Sequence, residues 1–178
     1  MQKQVPPIQP ILENEHVRME PLEENDFEIL FQVASDPKVW EQHPNSDRYR
    51  KDVFATFFQG ALASKSAFKI WDRHSGEWAG GTRYHDFNPA ENSICIGYTF
   101  YGTKFWGTGL NPQVKKLMLD YIFQYVDTVY LHVGAYNIRS QIAVQRLGAV
   151  KVGEVDLAPE GKKSNPHFIY AIPNPKPA

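Results

Sequence analysis

Between Ala67 and Val133 the hydrophobic period of this chain changes twice, and the order of those periods is what most limits its fold. Ala67 to Trp71, Trp78 to Phe87 and Ser93 to Phe100 read as strands. The turn residues His74-Ser75-Gly76-Glu77 and Asn88-Pro89-Ala90-Glu91-Asn92 separate them, which makes an antiparallel meander. From Pro112 to about Tyr125 the apolar residues Val114, Leu117, Met118, Tyr121, Ile122 and Tyr125 form a helical stripe. Thr128 to Val133 then returns to a β-branched strand. Strand, helix and strand in that order make a right-handed crossover, so the strands at Ser93 and Thr128 are expected as parallel neighbours.

The flanking chain supplies three more strands and three or four more helical runs. His16 to Glu20 alternates as a strand and Pro21 ends it. Asn25 or Asp26 can cap a helix carrying Phe27, Leu30, Phe31 and Ala34, Pro37 interrupts, and a short piece ends near Trp40. Another helical run starts near Asp47 and turns Val53, Phe57, Phe58 and Ala61 inward. Asn137 opens a last helix that stops at Gly148, and Ala149 to Val155 and Phe168 to Ile172 are strands around a polar loop, Ala158 to Pro166. The sum is an α+β (mixed α/β) chain with a mostly antiparallel sheet of about seven strands and about four helices. No repeat or linker divides it, so residues 1–178 are expected as one domain. The proline-rich ends, 1–12 and 173–178, are expected as extended arms.

Composition removes several functional classes. A net charge of −1 offers no basic face to nucleic acid or to an anionic membrane. No apolar run approaches the ~20 residues of a membrane span, and the N-terminus has no signal-type stretch. The expected location is cytoplasmic. The one cysteine, Cys95, excludes an internal disulfide, and in the apolar strand SICIGY it reads as a buried, inert thiol. The six histidines lack ligand spacing, so no metal is expected.

The chemistry-bearing stretch is KFWGTGLNPQVKKLM, Lys104 to Met118. With Asn111 as N-cap and Pro112 as first helical residue, the preceding loop offers backbone N–H groups at the positive end of the helix. Gly107 and Gly109 remove the Cβ atoms that would keep a ligand away. Such a loop is either a tight turn or a seat for a phosphate or pyrophosphate. It is not a P-loop, and it lacks the spacing of a dinucleotide fold. A second strand-to-helix junction, Tyr136-Asn137-Ile138-Arg139-Ser140, brings another helix N-terminus to the same end of the sheet. Asn137 with Ser140 three residues on is also a plain N-cap. Lys115-Lys116 reads as a solvated face.

Four stretches together resemble one family. They are Trp106-Gly107-Thr108-Gly109-Leu110-Asn111, Asn137-Ile138-Arg139-Ser140 followed by Leu147-Gly148, Val17-Arg18-Met19-Glu20-Pro21-Leu22, and Ile96-Gly97-Tyr98. In that order, over roughly Glu13 to Ile172, the chain resembles the GNAT acyl-CoA N-acyltransferases, closest to the Rim-type branch of ribosomal-protein N-terminal acetyltransferases. Asn111 departs from the Gly or Ala usual at its place. The resemblance implies a GNAT fold and an acetyl-CoA-dependent transferase that moves acetyl to a primary amine by direct attack on the thioester. The amine belongs to a protein N-terminus or a small molecule. The alternative is an acyl-CoA-binding module without turnover.

The resemblance also implies residues. The CoA pyrophosphate would lie on Gly107 to Asn111, next to Trp106, with Thr108, Gly109 and Leu110 in the loop. The pantetheine arm would run along Tyr98, Thr99 and Phe100, with a backbone N–H there for the oxyanion. Asn137 would hold that arm or a bridging water, and Ser140 would protonate the leaving thiolate. Lys104, Lys115 or Arg139 could reach the 3′-phosphate. For the base the candidates are His85, Asp86, Glu154 or a water. Trp40 and His43 could face the acceptor. A homodimer at a sheet edge is compatible with the fold.

Overall fold

The computed structural model describes residues 5–158 and 160–176, so residues 1–4, 177 and 178 of the expected arms and Pro159 of the polar loop lie outside it. Eight strands form one sheet: β1 (Leu12–Glu13), β2 (Val17–Pro21), β3 (Ala67–Asp72), β4 (Glu77–Asn88), β5 (Ser93–Tyr101), β6 (Thr128–Gly134), β7 (Val150–Asp156) and β8 (Pro166–Pro173). Four helices accompany them: α1 (Phe27–Ala34), α2 (Lys51–Ser64), α3 (Leu110–Ile122) and α4 (Ile138–Arg146). The spatial order is β1-β2-β3-β4-β5-β6-β8-β7, and within it the β5–β6 pair is the parallel one. The expected crossover is therefore present. Among the described residues no helix is long and apolar enough to cross a membrane.

The two-residue β1 adds an eighth strand to the about seven expected. Leu12 is buried and pairs across from Met19, because it completes the apolar face that Val17 and Met19 begin. The arm before it is docked as well. The Tyr121 hydroxyl donates to the Pro7 carbonyl at 2.6 Å, and Gln9 Nε2 donates to the Ala67 carbonyl at 2.9 Å. Proline-rich chain has few N–H donors, but its carbonyls still accept. At the other end Pro173 closes β8, and Asn174 Nδ2 ties down the Phe123 and Val126 carbonyls left over by α3.

Helix boundaries follow capping chemistry more than periodicity. Glu23 and Asp26 form a capping box before α1. Helix α2 begins at Lys51, four residues later than Asp47, because residues 47–50 close a turn in which the Arg50 amide bonds to the Asp47 carbonyl. It stops at Lys65, which is left-handed at φ +50°.

The core divides between the sheet faces, as alternate residues of β3 show. Phe68 and Ile70 pack with Ile94, Ile96, Val114, Met118 and Val144, under α3 and α4. Ala67 packs with Leu30, Phe54, Phe58 and Phe100, under α1 and α2. A period-2 strand buried on both faces has to serve both helical layers.

Candidate active site

Strands β5 and β6 pair only through Ser93–Cys95 and Thr128–Tyr130. Beyond that point β5 stays with β4 as far as Tyr101, and β6 stays with β8 as far as Gly134. The two parallel strands therefore part into a V. One cause is visible in β5. Opposite β4, Gly81 faces Phe100 and Arg83 faces Gly97, so Thr82 is opposed by both Tyr98 and Thr99. This is a β-bulge, and Tyr98 takes φ +54° to make it. Bulges bend a strand and re-aim its backbone groups. Here the bend opens the edge of β5 from Ile96 onward.

The glycine loop lies across the mouth of the V. Gly107 and Gly109 take φ +72° and +85°, the left-handed region that L side chains avoid, and a Cβ on either would meet nothing within 4 Å. Their glycine identity thus serves backbone conformation and open access, with no packing role. The amides of residues 107–109 have no hydrogen-bond acceptor among the described residues. Gly109 is the N-cap and α3 starts at Leu110, which corrects the expected start at Asn111-Pro112. A left-handed glycine turns the chain straight into the helix. Pro112 still sits within the first turn, where its missing N–H is no loss. Asn111 does other work: its Oδ1 accepts from the buried Tyr101 hydroxyl at 2.8 Å. Thr108 Oγ1 closes the loop from inside on the Phe105 carbonyl at 2.7 Å, and Leu110 is core.

Helix α4 closes the other arm of the V. Asn137 is buried, and its Oδ1 accepts from the Ser140 amide at 3.2 Å, so it is a true N-cap. Ser140 is half-buried, and its Oγ has no hydrogen bond among the described residues. The Arg139 guanidinium lies 3.6 Å from the centre of the Trp106 ring and bonds the Val39 carbonyl at 3.4 Å, while its amide bonds Gln42 Oε1 at 3.2 Å. One residue thus joins the glycine loop, α4 and the chain after α1. Of the three cations expected near a 3′-phosphate, Arg139 is the one at the mouth. Lys104 is engaged by Glu77.

Lys115 overturns the reading of a solvated lysine pair. It is buried, with Nζ 2.8 Å from Thr99 Oγ1, which is itself 2.8 Å from Thr82 Oγ1. Burial without a carboxylate pulls its pKa down to about 7. Lys116 does face solvent, paired with Asp120.

Tyr98, Thr99 and Phe100 divide as a bulge dictates. Tyr98 is exposed on the α2 side, Thr99 points toward α3, and Phe100 is core among Trp40, Phe54 and Phe57. What this stretch offers to the V is backbone. Trp40 is fully buried and spends its indole N–H on the Ala34 carbonyl at 2.8 Å, so it supports the wall without reaching the acceptor side. His43 stacks edge-on to Trp40, and burial holds its pKa at about 3, so it is neutral.

His85 sits against the bulge. Its Nδ1 is 2.8 Å from Asp86 Oδ2, and its ring meets Tyr98 at 5.0 Å between centroids. A Cβ on Gly97 would lie 2.7 Å from His85 Nε2, so glycine there is what admits the ring. Burial lowers the His85 pKa, with Asp86 partly opposing. The Nδ1–H tautomer, held by Asp86, leaves Nε2 unprotonated beside the V. Cys95 lies in the same cluster. Burial pushes its thiol up to about 12, and His85 and Asp86 are already bonded to each other, so Cys95 is a buried thiol beside that pair and not a prepared thiolate. Glu154 is on β7, paired with Lys151, away from this cluster. Sequence reasoning missed Arg83, which lies in the run GGTRYHDF. A cation in mid-strand, alternating with His85 and so on its face, was the available signal.

A sheet parted between two parallel strands, with a glycine-lined helix mouth across the gap, is an acyltransferase architecture. A family model of the acetyltransferase (GNAT) domain matches residues 16–150, and the chain belongs to the GNAT acetyltransferase family. A GCN5-related N-acetyltransferase from Brucella melitensis is similar with a TM-score of 0.82 and 20% identity, over 93% of this chain and 79% of that one. The ribosomal-protein-S5-alanine acetyltransferase from Vibrio fischeri gives 0.69 and 15%, over 94% and 98%. Spermidine N-acetyltransferase from Vibrio cholerae, solved with CoA and spermine, gives 0.69 and 15%, over 90% and 97%. At these identities the structures establish the shared fold. No curated protein sequence matches.

Proposed function

We propose that this protein is an acetyl-CoA-dependent N-acetyltransferase acting as a single domain on a primary amine. The observation that carries the reading is the parting of β5 and β6 after Cys95 and Tyr130, beneath the open, left-handed glycines 107 and 109. The pyrophosphate seat is the amide loop from Gly107 to Asn111, with Trp106 and Arg139 beside it. The pantetheine arm takes the free backbone edge of Tyr98 to Phe100, in place of the missing β6 partner, with Asn137 across the gap.

His85 Nε2 accepts a proton from the attacking amine, and Asp86 holds the imidazole in the tautomer that allows it. As the amine nitrogen bonds to the thioester carbon, a bulge amide donates to the developing oxyanion. When the C–S bond breaks, Ser140 Oγ–H gives its proton to the departing sulfur, and the amine proton held by His85 returns through solvent to Ser140. The test is thermal melting with acetyl-CoA, CoA, ATP and NAD, followed by an amine screen for thiol release. Stabilisation by the two CoA species alone supports the seat, because a ligand at ~100 Kd adds ~2.7 kcal/mol. Equal or greater stabilisation by ATP or NAD overturns it.

A further inference from the structure

Two arginines on the α2 side of the sheet, like Arg139 and Arg146, lack a carboxylate partner among the described residues. Arg18, Arg50 and Arg73 each hold a carboxylate within 3.0 Å. Arg83 and Arg48 have none within 4 Å among the described residues; Arg83 stands two residues from the base candidate His85 on β4, and Arg48 shares the Phe57 ring with Arg83. Arg83 is only 8% exposed. Its Nη1 bonds the Gly60 carbonyl at 3.2 Å, while its Nε is buried with no hydrogen-bond partner. Its guanidinium lies 3.4 Å from the Tyr98 ring centre and 5.7 Å from that of Phe57. Arg48 is half-buried over the same Phe57 at 4.4 Å.

Aromatic faces recover part of the cost of burying such cations, and less than a carboxylate would. Burial pulls both guanidinium pKa values down, Arg48 to about 10, and the nearby Arg83 charge lowers that of Arg48 further. The acidic groups that oppose them, Asp47 and Asp86, act only at longer range, and Asp86 is committed to His85. A fold that keeps two guanidiniums uncompensated next to its reaction site leaves the counter-charge to a ligand.

The spacing fits a small molecule. Arg83 and His85 are alternate residues of β4, on one face and so roughly 7 Å apart along the strand. The small pocket lined by Phe57, Arg83 and Tyr98, about 20 Å³, has room for one water and for no anion-bearing molecule. The approach is therefore from the open side, past exposed Tyr98 and half-buried Arg48. We infer that the acceptor is a small amine carrying a carboxylate or a phosphate, its anionic group held by Arg48 and Arg83 while its amine faces His85. This rests on the acetyltransferase reading above and narrows it. Two uncompensated cations also disfavour a polyamine.

The experiment is thiol release from acetyl-CoA with matched acceptor pairs: glycine and glycinamide, β-alanine and its amide, aminoethyl phosphate and ethanolamine. Spermine and a short peptide with a neutral N-terminal segment complete the set. The anionic member of at least one pair is expected to exceed its neutral partner at least tenfold in kcat/KM, and the carboxylate and phosphate pairs tell the two anions apart. In Arg48→Gln that ratio falls toward one through KM, and Arg48→Lys keeps part of it. Equal rates within every pair, or a preference for spermine or the peptide, overturn the proposal. The same pairs are melted in saturating CoA, which reads anion binding without turnover. CoA stabilisation without thiol release from any amine defeats the catalytic reading, and the melts then decide the anion question by themselves. Melts that no pair shifts differently overturn it. Arg48 is half-exposed, so its variants keep the test independent of the more buried Arg83.

Discussion

Lys115 Nζ donates to Thr99 Oγ1 over 2.8 Å, joining α3 to the residue that bulges out of β5. No carboxylate shares this place among the described residues, and the cation is buried at a pKa of about 7. The folded pKa lies below the unfolded value of 10.5, so between the two the unfolded chain binds more protons. Stability therefore rises with pH from about 7 to 10.5, and below 7 the full cost of charging a buried amine is carried. The span is about 5 kcal/mol as an order of magnitude. Lys115→Met is expected to be more stable than wild type at pH 6.5, with the difference shrinking by pH 9.5. Paired thermal melts at the two pH values check this, and parallel pH slopes would refute it.

Gly109 carries α3 into its first turn at φ +85°. Gly109→Val strains that turn by about 1–2 kcal/mol and places methyl groups over the open amides. The variant is expected to melt several degrees lower and to lose the CoA-induced shift. Gly148→Val meets the same left-handed strain at the end of α4, with nothing near its Cβ, and serves as the control. It is expected to keep the CoA shift.

His85 and Asp86 make a separable prediction. His85→Gln is expected to lower kcat by about 10²–10⁴-fold while the CoA melting shift stays. In wild type the acid limb of the rate profile lies below the ordinary histidine value of 6.5, because burial lowers the His85 pKa and a protonated imidazole cannot accept the amine proton. Asp86 opposes that lowering, so Asp86→Asn moves the limb to still lower pH and slows the reaction. A limb that moves upward would contradict the assignment.

Ser140 and Asn137 lie three residues apart and differ in kind. Ser140→Ala is expected to bind CoA nearly as wild type and to turn over about 10²-fold more slowly, the lower end of general acid assistance. Asn137→Ala loses an N-cap worth about 1 kcal/mol and lowers the melting temperature as well. Melting and turnover measured on the same preparations separate the two.

Arg139 stacked on Trp106 gives the last prediction. The contact is worth about 0.5–2 kcal/mol. Arg139→Ala is expected to weaken CoA several-fold and to change the Trp106 fluorescence in the free protein.

The architecture was readable because it is written in periods. The change from alternation to a 3.6 repeat after Phe100, and back at Thr128, requires a crossover and a parallel pair, and β5–β6 is that pair. Gly107, Gly109 and Asn137 were readable for a related reason: their backbone roles depend on their own chemistry and their immediate neighbours. The start of α3 was misplaced because a left-handed glycine and an Asn-Pro pair are both good helix openings, and local propensity does not rank them.

By itself, then, the sequence determined the order of elements, the two helix mouths at one end of the sheet and the family. Only the tertiary structure decided where β5 and β6 part, that Lys115 is buried, that His85 meets the bulge, and that Arg48 and Arg83 stand without carboxylates. Each of these depends on contacts between residues distant in the chain, Lys115 with Thr99 or Arg83 with Gly60, and burial and charge compensation are properties of such contacts. A residue's own periodicity says which face it takes, and what it meets there is set by the packing of the other elements.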